Sequence, residues 1–79
     1  MDDWLSRAAD ALATDGNVPR DRLELDGPQA DTLLDLARIA AHDSGDRRNA
    51  PLLCYLIGLS ATGGKSLDEL AELARRSTS

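Results

Sequence analysis

The segment Leu33-Leu34-Asp35-Leu36-Ala37-Arg38-Ile39-Ala40-Ala41-His42, followed after a polar turn by Asn49-Ala50-Pro51-Leu52-Leu53-Cys54-Tyr55-Leu56-Ile57-Gly58, decides the fold. It reads as two antiparallel helices. In the first, Ala30, Leu33, Leu36, Ala37, Ala40 and Ala41 gather on one side of the helical wheel. Asp31, Asp35, Arg38 and His42 gather on the other, at steps of four, three and four. The second helix is apolar almost all round. In so short a chain this predicts a central helix over about residues 50–62, wrapped by the others.

Working outward, Pro28 is preorganised for the first turn of the earlier helix, which should end between His42 and Ser44, before Gly45. Asn49 is expected to cap the apolar helix, with Pro51 in its first turn. A glycine inside a helix costs about 1 kcal/mol against alanine. Gly58 therefore predicts the close approach of a neighbouring backbone. Gly63-Gly64 stops this helix, and Ser66-Leu67-Asp68-Glu69 is a capping box that opens another. Leu67, Leu70, Leu73 and Ala74 form the buried stripe of that last helix, and residues 77–79 should fray.

At the other end, Asp2 and Asp3 suit the cap and first turn of a helix running to about Ala13. Trp4, Leu5, Ala8, Ala11 and Leu12 fall on one of its faces. Residues 14–28 are dense in turn formers, with a turn of helix within Arg20–Leu25 that drops Leu23 or Leu25 onto the core. The expected fold is all-α. It is a single domain over 1–79, a compact bundle of three main helices plus a C-terminal fourth.

Composition narrows the function. The chain has 79 residues, enough for one small core and not for a cleft between domains. A net charge of −5 repels phosphate backbones, and the nine Lys and Arg residues are scattered apart from Arg47-Arg48 and Arg75-Arg76, so nucleic acid is not the expected partner. Met1-Asp2-Asp3-Trp4 lacks the pattern of a signal peptide, and the apolar run Ala50–Leu59 is too short to span a bilayer. A cytoplasmic location without membrane attachment is the expectation. Cys54 cannot form an internal disulfide alone and reads as a buried, inert thiol.

The motifs that resemble chemistry are weak. Thr62-Gly63-Gly64-Lys65-Ser66 ends like a phosphate-binding loop, yet the first glycine of that pattern would fall at Leu59, and a helix precedes the run instead of a strand. His42 is the single histidine. Asp35, Asp43 or Asp46 beside it make a poor transition-metal set. Cys54 and Ser60 lie in the apolar helix, away from any expected base. No catalytic, cofactor-binding or metal-binding residue is assigned, and an enzyme is not expected.

The polar stripe Asp31, Asp35, Arg38 and His42 reads most plainly as a solvated face with charges paired at helical spacing. The alternative is a recognition surface, or a polar cluster tied to the Arg47-Arg48 turn. Ile39 points toward this side, which favours partial cover by a partner.

Asp3-Trp4-Leu5, Leu33-Leu34-Asp35-Leu36-Ala37-Arg38 with Ala41-His42, then Arg48, Ala50-Pro51-Leu52, Tyr55-Leu56 and Gly58, resemble a small bacterial all-helical domain of unknown function. That domain occurs alone or fused to molybdenum-cofactor guanylyltransferase-like proteins. The resemblance covers residues 2–74. It departs at Asp15–Pro28, which is longer and more polar than expected for the family. These residues hold no nucleotidyltransferase domain, so catalysis in fused relatives belongs to the attached part. The resemblance implies a non-catalytic accessory domain near molybdenum-cofactor or molybdoenzyme assembly. Its protein partner would be a molybdenum-cofactor guanylyltransferase or a molybdoenzyme. Asp35, Arg38, His42 and Arg48 are the polar positions it points to. Two other readings stand beside it: a homodimeric structural protein without ligand, and a small-molecule-binding domain with a pocket lined by the polar stripe.

Overall fold

A computed structural model describes residues 1–78, of which Thr78 is described by its backbone alone. The described chain holds four α-helices and no strand: α1 Asp3–Asp15, α2 Gly27–Ser44, α3 Asn49–Ser60 and α4 Leu67–Thr78. Short 3₁₀ turns occupy Arg20–Leu23 and Ala61–Gly63. The all-α expectation holds. The chain divides into two compact units, Met1–Ala30 and Asp31–Ser79.

In the first unit, Asp2 caps α1 by accepting a hydrogen bond from the Leu5 amide at 2.9 Å. Asn17 takes the left-handed conformation (φ 59°), which a short polar side chain tolerates, and turns the chain out of the helix. The 3₁₀ turn then packs beside α1. Arg20 fastens it by donating to Asp10 at 2.6 Å and to Glu24 at 2.7 Å. Leu23 and Leu25 are half-buried. Of the face expected on α1, Trp4, Leu5, Ala11 and Leu12 are exposed and Ala8 half-buried, whereas Ala9 is buried. The wheel places the burial about one residue off.

α2 opens with a reciprocal box. Gln29 N–H donates to Asp26 Oδ1 at 2.8 Å and Asp26 N–H to Gln29 Oε1 at 3.0 Å. In the second unit, α2 ends at Gly45, which takes φ 73°. Asp46 shapes the following turn, accepting from the Arg48 amide at 2.9 Å and from its guanidinium at 2.8 Å. Asn49 is not the cap of α3. It is the first helical residue, Arg48 occupies the cap position without a side-chain bond that caps the helix, and Asn49 N–H donates to the Asp46 carbonyl at 3.0 Å.

The core of this unit is Leu36, Ile57, Leu70 and Ala71, flanked by Leu33, Leu53, Leu67 and Ala74. Leu36 is the hub, 1 % exposed. The α2 face expected from periodicity is therefore the buried one. On α4, Ala71 takes the buried place expected of Leu73, which is exposed. Ser66 and Glu69 form the expected box: Ser66 N–H donates to Glu69 Oε1 at 3.2 Å and Glu69 N–H to Ser66 Oγ at 3.2 Å. Residues 77 and 78 remain helical where fraying was expected, and Ser79 lies outside the described residues.

The enclosure expected of α3 does not occur. Ile57 is buried and Leu53 and Cys54 half-buried, but Leu52, Tyr55, Leu56 and Leu59 are 59, 66, 58 and 51 % exposed. Within this unit α3 packs on one side only, against α2 and α4. Gly58 has no close neighbour either: a Cβ built there meets nothing within 4 Å. No backbone approach explains that glycine.

Candidate functional site

An apolar helix packed on one flank leaves a groove along its margin. The groove has a volume of about 310 Å³ and runs between α2, α3 and α4, floored by Leu36, Ile39, Ala40, Leu52, Leu53 and Leu56. Asp43, Ser44 and Asn49 close one end, and Ala74 and Arg75 line the α4 side. Leu52 and Leu56 belong both to the groove and to the exposed α3 face, so the two form one continuous apolar surface.

Asp35 and Arg75 stand at the edge of this surface. Asp35 Oδ1 accepts from Arg38 at 2.8 Å, and Oδ2 accepts from Arg75 on α4 at 3.3 Å. Hydrogen bonding from Arg38 is the main reason the Asp35 carboxyl lies below its ordinary range. Desolvation opposes it, and the Arg38 charge and Arg75 add to the lowering. The Arg38 pair is solvent-exposed and the Arg75 pair only half-buried, so both orient the side chains more than they stabilise the fold.

The expected polar stripe is only partly assembled. Asp35 and Arg38 meet. Asp31 lies exposed one turn earlier, and His42 lies exposed near the end of α2, where its carbonyl accepts from Gly45 N–H at 3.3 Å. Arg48 is held in the turn by Asp46, whose carboxyl it lowers through side-chain and then backbone hydrogen bonds. Ile39 is half-buried in the groove, which explains its place on the polar side of the wheel.

Two features escape a reading of the sequence. Arg75 is 40 positions from Asp35, and no local pattern links them. The exposed run Leu52, Tyr55, Leu56 and Leu59 is visible as an i, i+3, i+4, i+7 pattern but merges into a helix that is apolar all round.

Chemically the surface offers little beyond contact. Cys54 Sγ lies 3.9 Å from the Leu33 carbonyl, and burial pushes its thiol up, the wrong direction for a nucleophile. Among the described residues, no group of three or more His, Cys, Asp and Glu side chains is placed to hold a metal ion. The Gly63-Gly64-Lys65-Ser66 run is helix punctuation: Gly64 is left-handed at φ 92°, and Ser66 is engaged with Glu69. No helix among the described residues is long and apolar enough to cross a membrane.

Neither the curated proteins nor the solved structures contain a match to this chain. A family profile does match, over residues 1–79, and so spans the Asp15–Pro28 segment where a departure was expected. The chain belongs to the family described as a domain of unknown function, DUF6457.

Proposed function

We propose that this domain is a non-catalytic protein-interaction module whose docking surface is the exposed α3 face together with the groove beside it. The observation that carries the reading is the unbroken exposed run Leu52, Tyr55, Leu56 and Leu59. Scattered apolar residues on a surface are ordinary, but a contiguous apolar stripe bordered by charge marks a contact with another macromolecule. The border supports a protein ligand: Asp43 and Arg75, the latter also paired with Asp35, put both signs of charge beside the groove.

The resemblance noted in the sequence supplies the first partner to try, a molybdenum-cofactor guanylyltransferase or a molybdoenzyme. The test is a photo-crosslinking side chain placed at Tyr55 in the native host, with Arg22 as control position. Any adduct is then reconstituted from purified components. A protein that crosslinks at Tyr55 alone, and whose purified form loses binding to Leu56→Glu, supports the reading. Binding undisturbed by Leu56→Glu, or no adduct at Tyr55, would sink it.

A further inference from the structure

We draw no further inference here: the strongest candidate, the exposed apolar face of α3 with the groove along its margin, belongs to the docking surface already described, and nothing in the structure shows what covers it.

Discussion

Asp35 on α2 and Arg75 on α4 meet at 3.3 Å, although 40 positions separate them in the chain. The pair crosses the edge of the groove and links two helices whose packed sides otherwise meet through Leu36, Leu70 and Ala71. Arg38 completes it from one turn along α2, so one carboxylate serves two guanidinium groups. The arrangement sets a polar contact between α2 and α4 beside the groove.

Asp35→Asn should lower the melting temperature slightly at neutral pH, since the pair is only half-buried and partly screened by solvent. The pH dependence is more diagnostic. The folded carboxyls of Asp35, Asp46 and Glu69 are held below their ordinary values, by Arg38, by Arg48 and by the Ser66 amide respectively. A lowered folded value means that the stabilisation is fully present above the unfolded carboxylate range, about 3.9–4.3. It is lost as pH falls through the folded values. Thermal melts should therefore change little between neutrality and that range and fall below it, and Asp35→Asn should have a shallower acid limb. An identical acid limb would show that the Asp35 contacts do not persist in solution.

Leu36 and Leu56 sit on adjoining helices and look interchangeable in the sequence, yet one is buried and the other more than half exposed. Leu36→Ala should cost roughly 2–5 kcal/mol in urea unfolding, from lost transfer energy and the cavity left behind. For a chain of this size that is a large share of total stability. Leu56→Ala should leave the monomer's stability nearly unchanged. Comparable losses from both would mean that α3 is enclosed after all.

What the sequence reveals depends on the range of the interaction. Asp2, Pro28 and the Ser66–Glu69 box are local devices, and the helix boundaries they mark are found. The Asp26–Gln29 box uses the same spacing but is masked by the surrounding turn formers. Periodicity places the buried side of α2 because that helix has one apolar face and one polar one. On α3 it has no contrast to work with: a helix apolar all round does not declare which side is covered, and Ile57 and Leu56 differ only in what packs against them. The groove requires that missing fact. Asp35 and Arg38 are recognisable as partners at helical spacing, whereas Arg75 depends on how α4 folds back.

Lys65 and Ser66 separate helix punctuation from phosphate chemistry. Ser66 Oγ accepts from the Glu69 amide, and Glu69 reaches back to the Ser66 amide, whereas Lys65 lies 3.9 Å from Glu69 in an exposed pair. Ser66→Ala should cost about 1 kcal/mol in thermal or urea unfolding by removing the cap of α4. Lys65→Ala should change stability little, and calorimetry should detect no Mg-ATP binding by either the unaltered chain or this variant. Nucleotide binding abolished by Lys65→Ala would overturn the assignment of this run to helix capping.

Gly58 provides the sharpest test of α3's surroundings. Close backbone contact would make any added side chain destabilising, but a Cβ at this position meets nothing within 4 Å. Its φ is not in the left-handed region, so alanine is free of backbone strain there. What remains is helix propensity, and Gly58→Ala should raise the stability of the monomer by about 1 kcal/mol. Gly64→Ala is the matched control. At φ 92° that residue also has open space around it but a conformation that a side chain resists, so the same substitution should destabilise. Melts at concentrations low enough to exclude association would compare the two directly. Loss of stability in Gly58→Ala would mean that a neighbour lies against α3 in the monomer itself.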